Sequence, residues 1–272
     1  MTRNPSKHEA LADCFVFRGL KEQERGALVA RAPKRTFARG ETIFLMGSPG
    51  DSMMVVLRGT VRISVSSGDG GELMLAIVGR GEMFGEIALL DRLERTADAT
   101  AMTACELAIL QRREILSFLR HNPDTVLRLV DLLCSRLRRT DQHIADLALL
   151  PVPKRLAKVL LRLASADSRP IESCADGQIE LSQTELAMMV GTSRESINKY
   201  LRLWQSHGLI RLKRNAISLL DRAVIAGLAE SGHRAHALLG TVAPADKRNQ
   251  EPVPRQFNQR RKSRFNAPML VS

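Results

Sequence analysis

The hydrophobic period of this chain changes once, and that change limits what it can fold into. Between positions 37 and 110 the apolar residues come in short runs or at alternate positions: TIFLM, MMVVL, VRISV, LMLAIV and CELAIL, with glycines between them. Such runs are strands, and many short strands separated by frequent turns close into a barrel or roll. The SSGDGG run at 66–71 is a hairpin turn by composition. From Val126 the spacing becomes four and three: Val126, Val130, Leu133, Leu137, Thr140, Ile144 and Leu147. A helix over about 124–149, opened near Pro123 and closed by Pro151, carries this as a heptad seam, the pattern that pairs two helices. The seam predicts a homodimer. Leu127, Leu129 and Leu132 widen the apolar face, so the same helix is expected to dock partly on its own chain.

These features give an α+β chain: an N-terminal antiparallel β-roll, jelly-roll-like, with flanking helices, then a long dimerisation helix, then a smaller helical unit. The mixed apolar spacing of 8–31 suggests short helices packed against the downstream part of the chain. The two prolines of LALLPVP make a stiff joint. The expected divisions are 1–122, 123–150, 151–230 and a tail at 231–272.

One stretch inside the roll carries chemistry. Positions 81–96 read GEMFGEIALLDRLERT. Phe84, Ile87, Leu89 and Leu90 are expected to pack inward, Gly85 lets a ligand approach the backbone, and a helix starting there aims free N–H groups at an anion. Arg95 can fork onto a phosphate. Glu86 beside a phosphate is useful only if it accepts from a neutral donor such as a sugar hydroxyl, and phosphate plus ribose hydroxyl means nucleotide. Either residue alone reads as a solvated turn residue. The whole segment resembles the phosphate-binding cassette of cyclic-nucleotide-binding domains, including the nine-residue spacing from Glu86 to Arg95, and the turns at Gly40-Glu41, Gly47, Gly50-Asp51 and Gly59 are similar to that family's roll. The resemblance implies that Gly85 and Glu86, with Ile87 and Ala88 beside them, hold the cyclic phosphate ring and ribose 2′-hydroxyl. It implies that Arg95 holds the phosphate and Thr96 the phosphate or base. In the catabolite-activator branch a Thr-Ser pair on the long helix contacts adenine; here the pair is Thr140-Asp141. The Thr matches and the Asp departs, which leaves adenine against guanine open: cAMP is the implied effector and cGMP the alternative.

A second motif lies in the basic part. The last 122 residues hold 20 Lys and Arg against 10 Asp and Glu, whereas the first 150 hold 21 against 19. A polyanion belongs on the basic part. Ser182-Gln183-Thr184-Glu185 reads as a capping box and Thr192-Ser193-Arg194-Glu195 as another. Leu186, Ala187 and Val190 mark one helix face, Gly191 a turn, and Ile197, Leu201 and Trp204 a second face, which spells helix-turn-helix. Arg194, Glu195, Asn198, Lys199 and Arg202 are then free for base edges, where each good bidentate contact is worth roughly 1–3 kcal/mol. The plainer alternative is a solvated helix with Glu195 and Lys199 paired. The sequence around Lys213-Arg214-Asn215 looks like a β-hairpin wing with a basic tip. This part resembles the winged helix-turn-helix of Crp/Fnr regulators, with SRESINK at 193–199 as the recognition segment and Lys199 where the family often has Arg. The implied partners are a palindromic double-stranded DNA site, contacted also by Ser182, Gln183, Thr192, Ser193 and Lys213, and RNA polymerase.

Other classes find little support. Cys14, Cys105, Cys134 and Cys174 form no C-x-x-C pair, against a disulfide frame, zinc site or iron-sulfur cluster and in favour of a reducing cytoplasm. No apolar run approaches the roughly 20 residues that span a bilayer. The six histidines are dispersed, no P-loop occurs, and no catalytic residue is expected; His143 reads as a surface residue. A regulator on the same scaffold that answers to haem, redox state or no ligand is the alternative to nucleotide control.

The tail, with Pro244, Pro252, Pro254, Pro268 and the run Arg260-Arg261-Lys262, reads as largely disordered. Its sharper role is sequence-independent contact with DNA through counterion release. Deleting 231–272 is then expected to weaken binding to all DNA alike and to flatten the dependence of affinity on salt; an unchanged salt slope in a gel-shift series refutes that role.

Overall fold

The computed structural model of the chain describes residues 7–165, 178–213 and 216–230. The tail, Cys174 and the tip of the wing lie outside the described residues. In chain order the elements are α1 (Lys7–Asp13), α2 (Glu22–Arg31), β1 (Lys34–Phe37), β2 (Thr42–Phe44), β3 (Ser52–Arg58), β4 (Val61–Ser66), β5 (Glu72–Val78), β6 (Met83–Phe84), α3 (Glu86–Asp91), β7 (Asp98–Ala101), β8 (Cys105–Gln111), α4 (Arg112–His121) and α5 (Pro123–Leu149). After these come α6 (Val152–Ala164), α7 (Gln183–Val190), α8 (Arg194–Ser206), β9 (Ile210–Lys213), β10 (Ala216–Leu219) and α9 (Arg222–Glu230).

The roll is two four-stranded antiparallel sheets, ordered β1-β8-β3-β6 and β2-β7-β4-β5. The MMVVL run explains how they are covered. Alternate side chains of a strand leave opposite faces, and here both faces are dry. Met54 and Val56 join Val61, Phe84, Ala99 and Leu107 between the sheets, while Met53, Val55 and Leu57 join Leu11, Phe17, Leu28, Ile115 and Leu129 under the helices. A strand buried on both sides reads as a continuous apolar run. The hairpin joining β4 to β5 closes with Ser67 N–H donating to Gly71 O at 2.8 Å and Gly70 N–H to Ser67 O at 3.0 Å.

Helix α5 carries Pro123 in its first turn, where the missing N–H costs nothing. Leu129 packs under the roll. On the other side Val126 and Val130 are exposed, Leu137 is 62% exposed and Ile144 58%. Leu147, the last seam position, turns instead toward its own chain and packs on Gly191.

Beyond Pro151 a second core forms around Trp204, with Leu156, Leu160, Ile197, Leu201 and Ile225. Met74 of β5 belongs to this core, and Arg62 of β4 reaches the Met188 sulfur at 3.6 Å, so the C-terminal unit is seated on the β4–β5 hairpin. Arg155 staples the joint: its guanidinium donates to Leu147 O at 3.0 Å, Leu150 O at 3.1 Å and Gly191 O at 3.2 Å. Those at Leu147 and Leu150 lie at the end of α5, where carbonyls lack helical partners.

The first capping box forms as read: Ser182 N–H donates to Glu185 Oε2 at 2.7 Å and Glu185 N–H to Ser182 Oγ at 3.1 Å. The second does not. Helix α8 is capped by Ser193, whose hydroxyl accepts from Ser196 N–H at 3.2 Å; a cap reaches the third helical residue, which is Ser196 and not Glu195. Ahead of α7, Ile179 pairs with Ile217 as a single antiparallel bridge. Among the described residues no helix is long and apolar enough to cross a membrane.

Gly191 ends α7 at φ 68°, and a Cβ there would stand 2.5 Å from Leu147 Cδ2 and 3.5 Å from Leu73 Cδ1. Gly191→Ala combines a left-handed residue with that overlap, an expected loss of about 1–3 kcal/mol. Trp204, the single tryptophan, is fully buried in this unit, so its fluorescence during urea unfolding reads the effect directly.

Candidate nucleotide cavity and nucleic-acid interface

Between β6 and α3 the chain passes through Gly85 at φ 79°. A Cβ at that position would lie 2.7 Å from Arg95 Nη1, so the close approach of backbone and guanidinium requires glycine. Arg95 is 5% exposed. Its Nη1 donates to Gly85 O and its Nη2 to Ser52 O, both at 2.7 Å, and the guanidinium lies 4.2 Å above the Phe44 ring. Burial lowers its pKa, opposed by Asp51 and Glu86; a guanidinium remains a cation nonetheless. Its Nε–H is buried without a partner.

Glu86 is 1% exposed. One oxygen, Oε1, accepts from Arg136 Nη1 at 2.5 Å, while Arg136 Nη2 donates to the Met83 carbonyl. The other, Oε2, is buried and unpartnered. The carboxylate is therefore fixed by one oxygen and has an acceptor left over on the other. Arg136 comes from α5, so the pair ties the cassette to the long helix.

Both residues open on a cavity of about 570 Å³. Gly85, Glu86, Ile87, Ala88, Arg95, Thr96 and Thr140 all line it. Asp141 does not line it; it is exposed one residue further round α5. Two expectations are corrected by the structure. Ile87, expected to pack inward, is 43% exposed, because α3 is too short to bury more than one side and Ala88 and Leu89 occupy that side. His143, read as a surface residue, lines the cavity half-buried with Nε2 unpartnered. Cys14 also lines it, but burial pushes its thiol up to about 11, so it stands there as a neutral group.

Arg136 and Arg139 hold no seam position in the sequence, and no motif singles out Phe44 or Arg162, yet all four line the cavity. Helical period does show that Arg136 points away from Leu137. It does not show what lies opposite.

In the C-terminal unit, Arg194, Glu195, Lys199 and Arg202 are exposed along α8 and Asn198 is half-buried, while Ile197, Leu201 and Trp204 are buried. Glu195 is held below the usual carboxylate range by its own backbone N–H and then by Ser193. A cleft of about 370 Å³ brings Ser182 and Gln183 at the start of α7 together with Arg194 and Lys213. Ser193 is exposed and Thr192 half-buried at the turn, its N–H held by Ala187 O at 3.1 Å. Among the described residues no group of His, Cys, Asp or Glu could hold a metal.

The cavity with its polar cassette and the exposed basic helix belong to two parts of the chain, and comparison with known proteins identifies both. Residues 34–122 match the cyclic nucleotide-binding domain and residues 154–228 the Crp-like helix-turn-helix domain. The chain is 35% identical over 213 residues to a CRP-like cAMP-activated global transcriptional regulator of Mycobacterium tuberculosis, covering 78% of this chain and 95% of that one. It is 31% identical to the cyclic AMP receptor protein of Thermus thermophilus, covering 79% and 96%. Among solved structures, the c-di-GMP-responsive global regulator of Xanthomonas campestris superposes with a TM-score of 0.65 at 26% identity, covering 73% of this chain and 99% of that one. The chain belongs to the Crp/Fnr family. It is a transcription regulator with a cyclic nucleotide-binding domain and a Crp-like helix-turn-helix domain, and the family is one of transcriptional regulators.

Removing one member of a buried ion pair leaves the other charge without compensation. Arg136 is partly exposed, so Arg136→Ala is expected to cost about 2–3 kcal/mol in the ligand-free protein, below the roughly 3–5 kcal/mol of a fully buried pair, and Glu86→Gln added to it to recover part of that loss. Urea unfolding followed by circular dichroism checks both; a single variant as stable as wild type shows that the pair does not hold the carboxylate.

Proposed function

We propose that the protein is a homodimeric regulator whose grip on a palindromic DNA site is set by cAMP bound in the cavity. The observation that carries this reading is the unpartnered Glu86 Oε2 in the same cavity as the unpartnered Arg95 Nε–H. Buried polar groups without partners are rare in folded chains and call for a ligand or water. A cyclic phosphate takes the Arg95 guanidinium and the backbone N–H groups from Gly85 to Ala88, with Thr96 at its rim. A ribose 2′-hydroxyl donates to Glu86 Oε2. The base then lies toward α5, where Thr140 offers it a hydroxyl. The names of the mycobacterial and Thermus relatives support cAMP.

The exposed stripe on α5 supports a second copy as its cover. A row of large apolar side chains with heptad spacing loses water only against a matching row. In the dimer each α8 offers Arg194, Glu195, Asn198, Lys199 and Arg202 to base edges, while Ser182, Gln183, Thr192, Ser193 and Lys213 meet the backbone. The two heads reach half-sites about one DNA turn, roughly 34 Å, apart.

Calorimetry with cAMP and cGMP, followed by gel shifts with and without each, tests the reading. Arg95→Ala and Glu86→Ala are each expected to weaken cAMP binding about 10- to 100-fold, the worth of a charge-assisted hydrogen bond. Variants that keep the wild-type nucleotide response refute the site. For the seam, Leu137→Asp with Ile144→Asp is expected to give a monomer in analytical ultracentrifugation and to abolish high-affinity binding to the palindrome; a dimeric double variant refutes the seam.

A further inference from the structure

The cations of the cavity exceed what one cyclic phosphate needs. Arg95 is accounted for by that phosphate, and Arg136 by Glu86 and the Met83 carbonyl. Arg139, His143 and Arg162 remain, all lining the same cavity. Arg139 and His143 lie one and two turns beyond Arg136 on α5, so His143 stands about 10 Å along the helix from the Glu86 pair. Arg162 comes from α6, across the joint.

The nearby carboxylate is already engaged. Asp146 accepts from Lys158 Nζ at 2.6 Å and from Gln142 Nε2 at 2.8 Å. Glu82, the other carboxylate lining the cavity besides Glu86, accepts from Gly79 N–H at 2.7 Å. Among the described residues neither Arg139 nor Arg162 has an ion pair. The two repel each other: burial and then Arg139 lower the pKa of Arg162, with Asp146 opposing. His143 is lowered likewise, by burial first and then by Arg162, with Asp146 raising it and Arg155 lowering it further. Like charges converging on one cavity, beside an imidazole whose Nε2 is unpartnered, are relieved by an anion. Both arginines are open to solvent, so an anion can reach them.

We infer that Arg139, His143 and Arg162 form a second anion subsite, separate from the Glu86–Arg95 site, that takes a phosphate group and clamps α5 to α6. The phosphate comes either from a free phosphate ion beside a bound cyclic nucleotide or from the second phosphate of a two-phosphate nucleotide that spans both subsites. An anion bridging Arg139 and Arg162 joins the long helix to the DNA-binding unit across the Pro151 joint. Occupancy of this subsite then biases the orientation of the DNA-binding unit, independently of Glu86.

The test is calorimetric titration of the full chain with inorganic phosphate at saturating cAMP, and separately with a cyclic dinucleotide. Phosphate binding is expected to weaken about tenfold or more in Arg162→Gln and in Arg139→Gln, and to be largely restored in Arg162→Lys. It is expected to persist in Arg95→Gln, which distinguishes this subsite from the nucleotide reading: if Arg95→Gln leaves cAMP binding intact, that reading fails while the second subsite stands. If a two-phosphate ligand is the source, free phosphate binds weakly and the dinucleotide loses affinity in Arg95→Gln and Arg162→Gln alike. Trp204 fluorescence confirms folding of each variant. Absence of heat with both ligands, the result expected if the chain's own carboxylates fill the subsite, overturns the proposal, and so does equal affinity in wild type, Arg139→Gln and Arg162→Gln, which places the bound phosphate elsewhere.

Discussion

A carboxylate taken out of water needs a cation close by, and Glu86 draws its cation from another element. The desolvation of a lone carboxylate amounts to several kcal/mol, and the roll supplies no lysine or arginine that pairs with it. Arg136 of α5 does, and its second nitrogen binds the Met83 carbonyl just ahead of the cassette. One guanidinium therefore fixes the long helix against both β6 and α3. Consecutive helical residues diverge by about 100°, so seating Arg136 on the roll turns Leu137 outward. The exposure of the seam thus follows from satisfying a buried charge.

The same pair determines how a ligand can act. Arg136 occupies Oε1 and leaves Oε2 free, so a hydroxyl donated to Glu86 adds to the pair without breaking it. Under the proposed function the nucleotide does not release α5 from the roll; it tightens a connection already made. A ligand shifts a conformational equilibrium only by its differential contacts, and the contacts that differ must involve Thr140 and the residues nearer the joint. Those are the positions where the cavity wall passes from α5 to α6 and α7, at Arg162 and Met189.

How much of this the sequence could convey depends on the range of each interaction. The cassette, the seam and the first capping box are local patterns of residue type, and the structure has Glu185 and Ser182 bonded reciprocally as their spacing implies. The second box failed because Ser193 and Thr192 are both good caps and the choice between them rests on packing, not on sequence. Strands β1 (KRTF) and β7 (DATA) lack an apolar run and so carry no strand signal of their own; antiparallel pairing to β8 and to β2 and β4 makes them strands. Arg136, His143 and Arg162 were illegible for a different reason. Each gains its role from a partner or a neighbour on another element: Arg136 from a carboxylate 50 residues away, His143 and Arg162 from one another across the joint.

The joint itself combines two kinds of contact that respond differently to movement. Arg155 holds three carbonyls, on Leu147, Leu150 and Gly191, and hydrogen bonds of that kind weaken steeply once their angles change. Nearby, Leu73 and Met74 of β5 meet α7, where Met188 and Met189 lie. Methionine packs adaptably because its unbranched chain has several rotatable bonds, so this contact tolerates sliding at little loss. Under the proposed function, rotation of the DNA-binding unit requires the Arg155 bonds and the Asp146–Lys158 pair to exchange partners, while the adaptable contact on β5 stays covered. On that reading a small change at α5 reaches α8 through the Arg155 staple and the ion pair, and the β5 contact stays buried.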